Sequence, residues 1–370
     1  MNNKNIKVLH IISSLEQGGA ERQLVELVKR NNNHAICQLF GKNIFETETK
    51  KNKILLFNLN IKKNILAILS LYKLYGIIKK YKPEIIHTWM YHSSLIEVLL
   101  RKMIFSTKIP LIWGLRCSNM DMRHYSTMLN IFILGCKYFS NAPNLIINNS
   151  KEGQKFHKNL GFKNKNIVIH NGIDHKKFTF NKSQRIKFRE KYNISEDAKV
   201  FLCVGRNDPM KDHNTLITAF NKIRESNSSS YLILAGSKTQ NIKSVSGLIT
   251  LGICEDINIV YSASDIIVSS SAFGEGFSNA LAEGMASSLI PIATNVGDSK
   301  YIVGDVGKIV APRNIDKLFL AMQEVLNMDD NLFQKKKSFA RERIKKKFSI
   351  TKMIISYDDV YKNIIGSTFK

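Results

Sequence analysis

Residues 265–286, DIIVSSSAFGEGFSNALAEGMA, restrict the fold more than any other stretch of the chain. Residues 265–271 form an apolar run bounded by small polar residues, the pattern of a strand buried on both faces. Phe273-Gly274-Glu275-Gly276 then reads as a turn in which two glycines let the backbone approach a ligand closely. From about Ser278 the spacing becomes helical, with Leu281 and Met285 on one face and Glu283 on another. Strand, glycine turn and helix in this order belong to a parallel α/β sheet, which binds ligands beyond the carboxyl ends of its strands. Glu275 on the loop and Glu283 on the helix can both face that space. The amides of Gly276, Phe277 and Ser278, at the helix start, favour phosphate.

The same arrangement recurs along the chain. Residues 6–14 read as a strand, followed by Gly18-Gly19-Ala20-Glu21 and a helix through Leu24, Leu27 and Val28. Residues 200–204 read as a strand running into Gly205-Arg206-Asn207-Asp208-Pro209-Met210-Lys211, with a helix starting near Asn214. Arg206 offers a planar fork of donors and Lys211 a compact charge, a combination suited to a diphosphate. Further strands are expected at 35–40, 54–58, 85–88, 110–115, 145–149, 167–171, 231–235, 246–251 and 290–294. A basic amphipathic helix over 64–80 places Ile65, Leu69, Tyr72 and Ile77 toward the core, and Ser150 caps a helix through Phe156. A basic run over 335–347 reads as the exposed face of a late helix. At 370 residues the chain fits two domains of the usual ~150-residue scale.

Charge narrows the partners without choosing one. The 55 Lys and Arg against 30 Asp and Glu give +25, which calls for an anion: nucleic acid, a membrane surface or a phosphorylated substrate. Lys, Asn and Ile share AT-rich codons, so genome composition accounts for part of the excess. No zinc finger or RNP-type aromatic strand accompanies the charge, so a basic nucleic-acid-binding protein is the weaker alternative. Five scattered cysteines with no Cys-x-x-Cys pair suggest free thiols in a reducing cytoplasm. The first apolar run is too short for a signal peptide, and none approaches the ~20 residues of a membrane span. The expectation is a cytoplasmic protein, peripheral to the membrane at most.

FGEGFSNALAEGMA resembles the Glu-x7-Glu signature of the retaining glycosyltransferases of family 4, which have the GT-B fold. GGAE is similar to the glycine loop these enzymes place opposite the donor diphosphate, Gly205-Arg206…Lys211 to their basic element, and HNGIDHKKF to the exit from their first domain. The resemblance covers nearly the whole chain and is strongest over 205–297. It implies two Rossmann-like doubly wound parallel-sheet domains facing across a cleft: an acceptor domain, 1–180, and a donor domain, 181–353. A terminal helix, about 354–370, would cross back to the first.

By that resemblance Glu275 binds hydroxyls of the donor sugar and Glu283 those of the ribose, Arg206 and Lys211 stabilise the leaving diphosphate, and Gly252 and Ile253 meet the base through their backbone. The donor would be a nucleotide-diphosphate sugar, UDP-linked first and GDP-linked next, carrying a hexose or N-acetylhexosamine. The acceptor would be a glycan or polyprenyl-linked molecule of the cell envelope, with no cofactor and no nucleic acid involved. No Asp-x-Asp pair occurs to clamp a divalent ion, so no metal is expected.

The chain departs from the family at WGLRCSN, where Arg116 stands in place of a common histidine. Arginine cannot act as a base. Arg116 would then hold a phosphate or an acceptor hydroxyl, and the proton would pass to a donor phosphate oxygen or to His92. Residues 97–108, EVLLRKMIFSTK, resemble in position the basic helix by which members touch anionic lipid. A GT-B epimerase or phosphorylase is the alternative within the same fold.

Overall fold

A computed structural model describes residues 6–16, 18–61, 67–104, 107–118, 123 and 126–368. Asn64, Ile65, Asn119, Phe105, Ser106 and the side chain of Leu69, all within segments read above, lie outside the described residues. The chain divides into two compact units, Met1–His170 with Met353–Lys370, and Asn171–Lys352.

The first unit is built on β1 (Val8–Ile12), β2 (His34–Gln38), β3 (Leu55–Asn58), β4 (Ile85–Trp89), β5 (Leu111–Leu115), β6 (Leu145–Asn148) and β7 (Asn166–Val168). All pair in parallel, in the order β3-β2-β1-β4-β5-β6-β7. β1, β2, β4, β5 and β6 are buried along their whole length, which is why they are nearly continuous apolar runs. Helices α1 (Gly19–Val28), α2 (Glu46–Lys51), α3 (Ala67–Tyr81), α4 (Met90–Met103), α5 (Thr127–Tyr138) and α6 (Lys151–Leu160) connect them. α6 shows how local sequence sets both ends. The Ser150 hydroxyl accepts the Gly153 amide at 3.0 Å, and Gly161 stops the helix in the left-handed region at φ +97°.

The second unit repeats the plan with β8 (Val200–Val204), β9 (Tyr231–Ala235), β10 (Leu248–Gly252), β11 (Ile266–Ser269), β12 (Ile290–Thr294) and β13 (Lys308–Val310), parallel in the order β10-β9-β8-β11-β12-β13. Helices α7 (Lys182–Lys191), α8 (His213–Ser226), α9 (Ile257–Ala263), α10 (Asn279–Ala286), α11 (Ser299–Val303), α12 (Ile315–Leu326) and α13 (Asp330–Lys347) cover it. The connections run outward from β8 to β10 and then restart at β11. β8 and β11 therefore flank the point where strand order reverses, the position at which open α/β sheets bind ligands.

β11 is shorter than the expected strand, ending at Ser269 where the Ser270 hydroxyl and the Ala272 amide turn to the loop that leaves β8, and just before the strand Asp265 anchors a buried ion cluster. Its carboxylate lies 3.1 Å from Arg185 Nη1 and 2.9 Å from Arg189 Nη2 of α7, and accepts the Val200 amide at 3.0 Å. α7 is thus fastened to β8 and β11 by charge inside the fold.

The last helix, α14 (Ile350–Thr368), returns the chain to the first unit at Met353. There His10, His34, His87 and Trp89 meet Tyr357 and Tyr361. Trp89 Nε1 can only donate, so His10 accepts it at Nδ1 (3.1 Å) and donates from Nε2 to His34 Nδ1 (3.1 Å). His87 Nδ1 pairs with the Tyr361 hydroxyl at 2.8 Å. Burial lowers the pKa of all three histidines, that of His34 to about 4, so the cluster is neutral when folded near neutral pH.

Candidate functional site

The loops leaving β8 and β11 are tied together by their own backbones. The Ala272 amide donates to the Met210 carbonyl and the Ser270 hydroxyl to the Lys211 carbonyl, each at 2.8 Å. Lys211 is thereby placed against Glu275, and its ammonium pairs with Glu275 Oε1. The Ser271 hydroxyl donates to the same oxygen at 2.8 Å. Burial alone would raise the Glu275 pKa, but Lys211, Ser271 and the field of Arg206 outweigh it and hold the carboxyl below its ordinary value. Burial likewise disfavours the Lys211 ammonium, and Glu275 reverses that effect. Both groups are charged at neutral pH.

Glycines set the shape of the surrounding loops. Gly274 sits at φ +79°, and Gly297 at φ +57° passes so close that a Cβ would overlap the Glu275 carbonyl oxygen and stand 2.6 Å from that of Gly276. The Asp298 amide donates to the Gly276 carbonyl at 3.0 Å, fastening this turn from below. The Gly205 amide donates to Ala235 at 2.8 Å, so Gly205 carries the chain out of β8 against β9. Arg206 follows with its side chain 60% exposed and its Nε paired to Asp208. Asp208 also accepts the Lys211 amide at 3.2 Å.

The remaining donor-side residues lie on neighbouring elements. Phe277 is buried, and Ser278 takes the N-cap position of α10 without a side-chain capping bond. Glu283 is buried within α10 and accepts the Tyr261 hydroxyl of α9 at 3.0 Å. Gly252 ends β10 in the left-handed region at φ +67°, leaving Ile253 exposed beside it. His213 opens α8, buried, its pKa pushed down to about 4 by burial and by Lys211.

Four expected site residues belong to the first unit. Gly18 occupies the N-cap of α1 and Gly19 its first position. His92, half-buried in the first turn of α4, packs 4.3 Å from Phe132 between ring centres and meets Phe40 edge-on; burial lowers its pKa. Arg116 is buried with its guanidinium 4.9 Å from the Trp89 ring centre, donating to the Tyr357 hydroxyl at 3.0 Å. These contacts join Arg116 to the α14 cluster.

Ser270, Ser271, Asp208 and Tyr261 are the participants that sequence reasoning missed. The serine triplet ending β11 was a usable signal, since a strand that ends in consecutive hydroxyls has donors to spend on a nearby carboxylate. Tyr261 carried none, because its partner is set by how α9 packs on α10.

Two doubly wound units, the second with a lysine–carboxylate pair among glycine turns at its strand-order reversal, define an α/β protein of the class that binds ligands beyond the carboxyl ends of its strands. Residues 17–177 match Glycosyltransferase Family 4 and residues 184–346 match Glycosyl transferases group 1. An Escherichia coli UDP-Gal:alpha-D-GlcNAc-diphosphoundecaprenol alpha-1,3-galactosyltransferase is 26% identical over 333 residues, 83% of this chain and 82% of that protein. An uncharacterised glycosyltransferase of Methanocaldococcus jannaschii is 29% identical over 203 residues, 51% of this chain and 49% of its own length, so that match spans about half of the relative. Among solved structures, Anabaena HepE in complex with UDP and glucose superposes with a TM-score of 0.83 at 18% identity, over 96% of this chain and 99% of that one. A Rickettsia africae glycosyltransferase does so at 0.79 and 24%, over 98% and 99%. The fold is GT-B, and the chain carries regions that match both of these glycosyltransferase family models.

Proposed function

We propose that this protein transfers a hexose or N-acetylhexosamine from a nucleotide-diphosphate sugar, UDP-linked first, to a glycan or lipid-linked acceptor in cell-envelope synthesis, with retention and without a metal. The observation that carries this reading is the buried Lys211–Glu275 pair at the reversal point of the second sheet. Supporting it, a relative at 26% identity is named for UDP-galactose and a diphosphoundecaprenol acceptor, and HepE has been solved with UDP-glucose.

In the proposed reaction the bond from the sugar to the diphosphate lengthens while negative charge gathers on the phosphate oxygens. Lys211, Arg206 and the start of α10 supply positive potential that needs no rearrangement as the charge develops. Glu275 orients Lys211 in the resting enzyme and binds sugar hydroxyls in the complex, and Glu283, steadied by Tyr261, meets the ribose. The acceptor oxygen attacks from the face the nucleotide leaves and gives its proton to an oxygen of the departing phosphate, so the anomeric configuration is kept. Gly252 and Ile253 present backbone to the base.

The test is a thermal-shift screen against UDP-, GDP- and ADP-sugars, followed by turnover of the stabilising donor with polyprenyl-linked acceptors in Lys211→Ala and Glu275→Gln. A donor that stabilises the wild type and is turned over slowly by both variants is the expected result. Activity near wild type in both folded variants rejects the assignment.

A further inference from the structure

At the carboxyl edge of the second sheet, on the side of β8 away from Glu275, the loops after β8, β9 and β10 are stitched to one another. A Cβ on Gly236, at φ +142°, would stand 2.3 Å from the Gly205 carbonyl oxygen, and the Asn207 amide donates to the Ser237 carbonyl at 2.8 Å. Toward β10 the Gly236 amide donates to the Gly252 carbonyl at 2.7 Å. Thr239, fully buried in a single 3-10 turn (Thr239–Asn241), donates its hydroxyl to the Gly236 carbonyl at 2.9 Å and accepts the Gly252 amide at 3.0 Å. Both backbone groups of Gly252 are thus engaged in the frame, and the loop after β9 is fixed from both sides.

That frame delivers the next residue, Gln240, across Gly252. A Cβ on Gly252 would stand 3.0 Å from Gln240 Oε1 and 3.5 Å from its Cδ, so the missing side chain is what lets the amide group rest there. Oε1 faces the glycine, which leaves Nε2 for a ligand. Leu251 is an extra residue between the Thr250–Leu234 and Gly252–Ala235 pairs, a bulge that bends the end of β10, and Ile253 follows it with 61% of its surface exposed. Among the described residues the Gln240 side chain and the Ile253 amide and carbonyl have no hydrogen-bond partner. A planar amide beside a free peptide group offers donors and acceptors in the pattern that a base edge takes.

We propose that the Gln240 side chain selects the base of the nucleotide donor, and that it selects uracil. This role requires the second unit to be the donor domain proposed above, and it gives a subsite otherwise made of backbone a side chain that can discriminate. Uracil presents an acceptor, a donor and a second acceptor: two carbonyls around the N3–H. The Ile253 amide and carbonyl meet the first carbonyl and the N3–H, and Gln240 Nε2 donates to the second carbonyl. Adenine offers a C–H at that third position and leaves the Gln240 donor unpaired. Guanine offers an amine there, which Gln240 meets only by turning its amide over and lifting Oε1 from Gly252.

Calorimetric titration of UDP, GDP and ADP into the wild type, Gln240→Leu and Gln240→Glu tests it. The wild type is expected to bind UDP about ten-fold more tightly than ADP. Gln240→Leu should weaken UDP about five-fold and leave ADP within about two-fold, because ADP does not use the amide. Gln240→Glu puts an acceptor where the donor stood, so the UDP-to-GDP affinity ratio should fall about ten-fold, a readout in which repulsion of the shared diphosphate cancels. Gln240 is exposed and its side chain bonds nothing in the fold, so both variants should keep the melting temperature of the free protein. UDP affinity unchanged in Gln240→Leu, UDP and ADP weakened equally, or a wild type that prefers ADP overturns the role of Gln240 and leaves the donor domain standing. A wild type that binds none of the three nucleotides overturns both.

Discussion

Lys211 and Glu275 neutralise each other in the resting protein, so the positive potential proposed to meet a diphosphate is held in reserve. Removing each partner should act differently. Lys211→Ala lowers kcat/KM by about 2 kcal/mol, roughly thirty-fold, measured with saturating acceptor. Glu275→Gln also lowers turnover, yet it unmasks the ammonium, and calorimetry should find UDP bound more tightly than by wild type. At Gly297 the left-handed backbone and the adjacent Glu275 carbonyl leave no room for a methyl group. Gly297→Ala is expected to lose about 1–3 kcal/mol in chemical denaturation, with weaker donor binding because the Glu275 loop must move. Glu275, Arg206 and Lys211 could be singled out as candidates because each sits beside a glycine turn or a helix start, and Glu283 because of its spacing from Glu275. That Lys211 bonds Glu275 could not be read, since 64 residues separate them and their loops meet only once β8 pairs with β11.

Elements that the sequence revealed are those whose environment repeats along the chain. β1, β4, β5, β8, β11 and β12 lie inside their sheets and show it as apolar runs; α10 shows its start by the change of spacing at Ser278. α7 is the contrary case: a helix with KSQRIKFREK reads as polar, although Arg185 and Arg189 are buried on it. What holds them is Asp265, 80 and 76 residues away in sequence. Asp265→Ala strands two guanidinium groups in the interior, and equilibrium unfolding should show a loss of about 3–5 kcal/mol. Asp265→Asn should lose less, because the amide still accepts from one arginine. α5 escaped for a related reason: apolar on all sides, it offers no periodicity to read.

For the molecule as a whole, acid is the informative perturbation. Burial holds His34, His157 and His213 at about 4 in the fold against 6.5 when unfolded, and burial with neighbouring histidines and Arg116 lowers His10 and His87 well below that ordinary value. The unfolded chain therefore takes up protons that the folded one refuses, and stability declines as pH falls from about 6.5 to about 4. Glu275 adds to the loss below 4.5, since its folded pKa is depressed and protonation removes its pair with Lys211. Denaturation midpoints recorded across this range should fall steadily; a flat profile above 4.5 would mean the histidines are not neutral when buried. Removing the Tyr361 hydroxyl with Tyr361→Phe leaves His87 Nδ1 without its 2.8 Å partner and should lower the midpoint at every pH.

Met353–Lys370 belong to the unit that begins the chain. On a translating ribosome the first seven strands emerge long before the tyrosines that seal His10, His34 and His87, so this half must wait, incomplete, while the whole of the other half is made. A nascent chain arrested before Tyr357 would expose that aromatic face to chaperones and proteases, and quality control could thus tell a finished enzyme from an unfinished one.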